Sequence, residues 1–167
     1  SVCTAGRREV QPAGADFAGI CATHAPNLRE LLLDTAPELL LAAEFSPGDD
    51  DFRRRLVDRI LARIESDDWA RQHGTNDRAA LRRLRHPLLA SQLAPVIADH
   101  GRASGVRCAA LEIAIACEVV DLTTSAISLA LDDSQPDDVR FDSLRLTEAV
   151  ANAEQRSRLR PLLDHES

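Results

Sequence analysis

Cys21 and His24 are the residues best suited to hold a metal ion, because thiolate and imidazole are usual ligands of zinc. Their C-x₂-H spacing, with Cys3 further upstream, outlines part of a zinc site. A structural zinc site needs four ligands, usually in two close pairs, and no second pair lies nearby. We therefore predict that Cys21 is a buried thiol and that His24 lies at a helix end, since free cysteine is among the most buried residue types.

A second cluster could contact phosphate: it consists of Arg78, Arg82, Arg83, Arg85 and His86. In a helix, Arg78, Arg82 and Arg85 would share one face. Single-stranded nucleic-acid sites combine such charges with aromatic side chains for base stacking, and this cluster has none. The chain is also acidic, with 20 basic and 27 acidic side chains and a formal net charge of −7. We therefore interpret the cluster as a solvated or ion-paired face and do not expect nucleic acid as a partner.

Acidic runs recur where carboxylates could bind a metal or act as acid and base. They are Asp49–Asp51, Asp67–Asp68, Asp132–Asp133 and Asp137–Asp138. None has the spacing of a calcium loop, with its central Gly and terminal Glu. Each stands at a predicted helix start or turn, where a carboxylate accepts hydrogen bonds from backbone N–H groups. We predict that these residues cap the backbone.

No catalytic constellation is present in the sequence. The motifs G-x-S-x-G, G-x-G-x-x-G and H-E-x-x-H are absent. The chain contains no lysine, so every basic side chain is arginine, which excludes the P-loop lysine, the kinase strand lysine and any Schiff-base lysine from this chain. We therefore predict a non-enzymatic segment with no catalytic residue, no cofactor and no metal ion.

The length and composition are those of one ordinary globular domain. The chain has 167 residues, of which 44% are hydrophobic and 28% are charged. No apolar run approaches the ~18 residues that cross a bilayer, and the N-terminus lacks the apolar stretch of a signal peptide, so we expect no membrane contact and a cytoplasmic location. Because the sequence contains no Met, we expect it to be a fragment or a processed product.

Hydrophobic spacing predicts an all-α fold, since alternating strand patterns are nearly absent and aromatic residues make up 3%. Residues 1–14 mix Gly, Pro and charge without periodicity and are predicted to be a poorly structured lead-in to a helical-repeat domain over 15–167. Helices are predicted over 27–34, 37–44, 49–64, about 77–85, about 88–99 and 106–119. Two further helices are predicted: one follows Asp121, which would cap it, and the other begins at Val139.

Two of these helices carry the clearest patterns. The helix over 49–64 has one apolar stripe, and Asp50 with Arg54 and Asp51 with Arg55 are spaced as ion pairs. Its stripe consists of Phe52, Leu56, Val57, Ile60, Leu61 and Ile64. The helix over 106–119 is apolar almost all round, which is typical of a helix packed between neighbours.

The cysteines in the second of these helices are too far apart to form a disulfide. Cys108 and Cys117 lie on opposite faces, roughly 13 Å apart along the helix, so they cannot bridge each other. Four cysteines in a chain of this size are also too few for a disulfide-stapled secreted scaffold.

A repeat of 33 residues is visible in the C-terminal part, a length close to that of one helix-turn-helix unit of a solenoid. It relates segment 106–131 to segment 139–163. The matches are Val106-Arg107 with Val139-Arg140, Leu111 with Leu144, Ile113 with Leu146 and Ala116 with Ala149. We predict antiparallel helix pairs stacked as a short α-solenoid. Segment 106–131 is expected to lie between the helices at 77–99 and 139–163, with Val106, Leu111, Ile113, Val139, Leu144 and Leu146 as packing residues.

Leucine-rich and Val-Arg motifs extend this pattern along residues 24–163. They are Pro37-Glu38-Leu39-Leu40-Leu41, the Arg-rich segment from Phe52 to Ile64, Leu84-Arg85-His86-Pro87-Leu88-Leu89, Val106-Arg107 with Leu111-Glu112-Ile113-Ala114, and Leu129-Ala130-Leu131-Asp132. The string resembles the helical region that follows the nucleotide-binding module in bacterial NACHT-type STAND NTPases, especially those of high-GC actinobacteria. The segment Asp137-Asp138-Val139-Arg140 resembles the start of a HEAT-type repeat, which implies that the predicted solenoid is HEAT-like.

The resemblance implies a regulatory role. In that family the NTPase module binds ATP and oligomerises, the helical repeats sense a trigger, and a separate effector acts, commonly in defence against phage. Because this chain has no Walker motif, no nucleotide-binding residue of the family is carried over. The prediction is a sensing segment that holds an NTPase module inactive until a protein trigger binds. The alternative is a stand-alone adaptor or scaffold that binds a partner protein, or a small metal or nucleic-acid module built on the two clusters above.

Overall fold

The structure is a computed structural model that describes residues 25–66 and 78–160. These described residues form helices, turns and irregular segments, and no strand occurs among them, which confirms the all-α fold class. The chain divides into two compact units, Ser1–Ser46 and Pro47–Ser167. No helix in the described part is long and apolar enough to cross a membrane.

The first unit contains helix α1 over Pro26–Thr35 and a 3₁₀-helix over Pro37–Ala42, which pack against each other. Proline opens both elements, at the position where its missing N–H is not needed. The predicted break between the two elements is confirmed at Ala36, whereas Thr35, which was expected to belong to the break, lies in α1. The second element is a 3₁₀-helix, with Leu39 N–H donating to Ala36 O, a tighter turn that suits such a short segment.

The second unit begins with helix α2 over Asp50–Ser66, and all six residues of the predicted apolar stripe are buried. Acidic residues in its first turn favour the positive end of the helix dipole. The expected pair of Asp51 with Arg55 forms at 3.4 Å. The expected pair of Asp50 with Arg54 is wrong: Asp50 lies 2.8 Å from Arg53 and Arg54 lies 2.9 Å from Asp51, because one helical turn also brings residues three apart together.

Helices α3 over Arg78–Arg82 and α4 over Leu89–Ala98 follow. Helix α3 ends three residues earlier than predicted, before two turn residues that precede Arg85. Because Arg85 lies beyond α3, the expectation that Arg78, Arg82 and Arg85 share one helical face is wrong.

Helix α5 over Ser104–Ala116 is the centre of the second unit, since it packs against α2, α3, α4 and the later helix over Asp137–Val150. The expectation of a helix packed between neighbours is confirmed. The helix ends in a Schellman motif, in which Val119 N–H donates to Ala114 O at 3.0 Å and Glu118 N–H to Ile115 O at 3.2 Å. Glu118 occupies the left-handed position with φ of 54°, where glycine is the usual residue.

The remaining elements are a 3₁₀-helix over Val120–Leu122 and helices α6 over Thr123–Leu131, α7 over Asp137–Val150 and α8 over Ala153–Ser157. The expectation that Asp121 caps the next helix is wrong. Asp121 lies inside the 3₁₀-helix, and Leu122 stands at the N-cap of α6 without a side-chain cap.

Helix α7 packs on both α5 and α6 and so connects α6 to the central helix α5. Helix α6 packs on α7 and α8, and α5 contacts both the preceding and the following helices. Five of the six predicted packing residues are buried, whereas Leu144 is part-exposed. The arrangement of these helices as a solenoid stays a prediction.

Candidate functional site

The metal-binding hypothesis rested on Cys3, Cys21 and His24, which lie outside the described residues. Within residues 25–66 and 78–160, no group of three or more His, Cys, Asp or Glu side chains is close enough to hold a metal ion.

The arginine cluster is exposed, in keeping with a solvated surface. Arg82 lies 3.6 Å from Glu118, an exposed ion pair that contributes little to stability. The peptide carbonyl of Arg83 accepts a hydrogen bond of 3.2 Å from Arg53 Nε, which joins the end of α3 to α2. His86, in contrast, is buried.

In two of the acidic runs a carboxylate accepts a hydrogen bond from a backbone N–H group, as predicted. Asp132 accepts hydrogen bonds from Ser134 N–H at 3.0 Å and Ser134 Oγ at 2.6 Å, which closes the turn between α6 and α7. These bonds and one from Gln135 lower the pKa of Asp132 to about 2. Asp138 Oδ1 accepts a hydrogen bond from Val139 N–H in the first turn of α7. Asp67 and Asp68 lie outside the described residues.

The two described cysteines are free thiols, as their predicted separation requires. Burial raises the pKa of Cys117 to about 11, and its thiol donates to Leu81 O. Burial, together with the nearby carboxylates of Asp138 and Asp142, raises the pKa of Cys108 further. Because the thiolate is the nucleophilic form, neither thiol is activated at neutral pH.

An apolar cleft lies between α4 and α6, and we call it the α4–α6 cleft. It has a volume of about 260 Å³. Its lining residues are Ala94, Ile97, Ala98, His100, Leu111, Leu122, Thr124, Ser125, Ala126, Ser128, Leu129 and Leu146. Buried aliphatic side chains from α4, α5 and α7 form the floor, whereas exposed hydroxyls of α6 line the rim. Such a surface offers an apolar contact with a few polar groups that can fix orientation.

A buried arginine supports one end of this cleft. Arg107 of α5 is 2% exposed, and its Nε donates to Ile97 O at 2.8 Å, near the end of α4. Its Nη2 donates to Gln135 Oε1 at 2.7 Å. Gln135 Nε2 in turn donates to Asp132 Oδ2 at 2.6 Å and lies 3.3 Å from His100. One guanidinium therefore ties the end of α4 to the turn that follows α6.

The sequence analysis names Arg107 only as part of the Val106-Arg107 motif, in a helix that is otherwise apolar almost all round. A single arginine among apolar residues on every face is the signal that could have suggested burial, because a buried guanidinium needs hydrogen-bond acceptors from neighbouring elements. The pattern did not reveal which acceptors those would be.

Comparison with protein-family models, with curated proteins and with solved structures finds no match for this chain.

Proposed function

We propose that this chain is a non-catalytic regulatory segment of a STAND-type NTPase that binds protein and holds the NTPase module inactive. The proposal places it in the cytoplasm and in signalling of the kind used against phage. The observation that carries the binding role is the α4–α6 cleft. The link to an NTPase comes from the sequence motifs that resemble the helical region of that family.

The cleft suits part of a protein better than a whole small molecule. At about 260 Å³ it lies just below the ~300–1,000 Å³ typical of ligand pockets. Its apolar floor and hydroxyl rim suit one or two aliphatic side chains from an amphipathic helix, a common mode of protein recognition. We assign this occupant to the NTPase module, which the segment would thereby hold inactive.

The first step of the test is to read the source gene upstream of Ser1. A G-x-x-x-x-G-K-[ST] motif between a strand and a helix would supply the NTPase module that the proposal requires. A start codon immediately before Ser1 would instead contradict the NTPase role and leave the adaptor alternative.

The second step measures ATP hydrolysis by the parent protein with a blocked cleft. Ser128→Arg places a large charged side chain on the rim, and Ser91→Arg is a matched control. Both serines are exposed on a helix, and both hydroxyls donate to a backbone carbonyl one turn earlier, but Ser91 does not line the cleft.

If the cleft carries the inhibitory contact, Ser128→Arg raises basal ATP hydrolysis and Ser91→Arg leaves it unchanged. Equal rates for wild type and both variants, with unchanged thermal unfolding, would refute this contact.

A further inference from the structure

His86 is a buried polar side chain that forms one side-chain hydrogen bond among the described residues. It is 7% exposed and lies in the turn before α4. Its Nε2 lies 2.9 Å from Gln92 Oε1. Burial lowers the pKa of His86, which favours the neutral ring.

The bonds of Gln92 decide which ring nitrogen carries the proton. Gln92 Nε2 donates to Arg54 O at 2.8 Å and to Asp58 Oδ1 at 2.6 Å. Because both acceptors require the amide nitrogen, the amide oxygen must face His86, and Nε2 of His86 must be the donor. Nδ1 is then a hydrogen-bond acceptor, and among the described residues it has no partner.

His86 lines a pocket of about 470 Å³, which we call the His86 pocket. Asp50, Glu118 and Asp121 bring three carboxylates to its lining, against the single guanidinium of Arg85. Asp50 is paired with Arg53 and Glu118 with Arg82, whereas Asp121 has no ion pair among the described residues.

The rest of the lining is largely apolar. Leu89 and Ala90 contribute from α4, and Val119 and Val120 contribute from the segment after α5. Such a wall can cover the methylene groups of an extended side chain while its charged end reaches polar partners.

Glu118 marks the same pocket in a second way. It holds the left-handed position of the Schellman motif, which costs a non-glycine residue steric strain. A glutamate at this position therefore lowers local backbone stability. Backbone strain of this kind is typical of functional positions.

We propose that the His86 pocket binds a primary alkylammonium group, which donates a hydrogen bond to His86 Nδ1 among these carboxylates while its alkyl chain lies on the apolar wall. The ammonium group donates the hydrogen bond that His86 Nδ1 lacks within the described part of the chain, and its positive charge complements the carboxylates of the lining. A metal ion fits less well, since the described residues bring no three potential ligands close enough together. The source is either a free amine or a lysine side chain of another protein.

The test follows the imidazole nitrogen resonances of His86 by NMR in the full chain. Added n-butylammonium should shift Nδ1 in a saturable manner, while tetramethylammonium, which has the same charge and no N–H donor, should not. Equal shifts with both cations, or no saturable shift with either, would overturn the proposal and leave Nδ1 to water.

Two variants connect the binding to the pocket. Asp121→Asn should weaken n-butylammonium binding about threefold, as expected for loss of one exposed charge, and Asp137→Asn is the matched control because Asp137 is exposed and lies outside the pocket. Glu118→Gly should weaken binding similarly while the protein folds at least as well, since glycine prefers this backbone position. Unchanged affinity in both pocket variants would refute the site.

A final comparison separates the two sources. Tighter binding of 1,4-diaminobutane than of a capped Gly-Lys-Gly peptide indicates a free polyamine, and the reverse indicates a lysine side chain. These measurements do not involve the α4–α6 cleft or ATP hydrolysis, so this inference and the proposed function can fail separately.

Discussion

Leu111 and Leu144 occupy matching positions of the 33-residue repeat, yet the fold treats them differently. Leu111 is fully buried in α5, whereas Leu144 of α7 is part-exposed and lines a surface groove with Phe141. An ideal solenoid would bury the two side chains equally. Alanine at each position therefore tests both the packing and the repeat.

Leu111→Ala removes a buried side chain and leaves a cavity, so we expect a loss of about 3 kcal/mol in unfolding free energy, within the range for such core substitutions. Leu144→Ala leaves a site open to water, which removes the cavity contribution, so we expect a loss of about 1 kcal/mol. For a domain of this size these losses correspond to Tm decreases of about 6–12 °C and 2–4 °C.

Thermal and urea unfolding, both followed by circular dichroism, measure these losses. Unfolding must first be shown to be two-state, by agreement of the calorimetric enthalpy of unfolding with the van't Hoff enthalpy. Equal losses at the two positions would refute the different packing of α5 and α7. A loss below about 1 kcal/mol for Leu111→Ala would refute the central position of α5.

Three further predictions follow from individual side chains. Ile113→Asp places an unpaired charge in the core of α5, so the Tm should fall well beyond that of Leu111→Ala; an unchanged Tm would contradict the burial of this helix. Hydrogen bonds lower the pKa of Asp132, so its contribution to stability is present above the unfolded pKa and is lost as pH falls toward 2. In Ser134→Ala the pKa of Asp132, followed by carboxyl-carbon NMR, should rise; an unchanged pKa would exclude these bonds. Cys117, with its pKa raised to about 11, should resist iodoacetamide at neutral pH until urea unfolds the chain, and peptide mapping that finds rapid native alkylation would contradict its burial.

Periodic apolar residues made most of the helices predictable. The six-residue stripe of α2 is buried in full, because spacing along one helix directly determines which face packs. The boundaries depended on contacts that spacing does not encode. Helix α3 ends at Arg82 instead of continuing toward Pro87, and Asp121 lies within a 3₁₀-helix instead of capping α6.

The two sites were harder to predict, because each depends on residues far apart in sequence. The α4–α6 cleft combines side chains of four helices, and no local pattern specifies how those helices cross. His86 was assigned to an exposed arginine cluster on the basis of its neighbours, yet its only described side-chain partner is Gln92, which is itself bonded to α2.

Arg107 shows why polar residues in a core escape prediction from periodicity. Charged residues are expected on the surface, since burial of an unpaired charge costs several kcal/mol. Here two acceptors, Ile97 O and Gln135 Oε1, compensate for part of that cost, and both come from elements that meet α5 only after folding. The arginine is therefore compatible with the core only in this arrangement of helices, so it helps to select how α4 and the turn before α7 are placed against α5. The same placement of α4 forms the edge of the α4–α6 cleft. Arg107, which the sequence pattern did not show to be buried, therefore helps to position the surface that we propose binds protein.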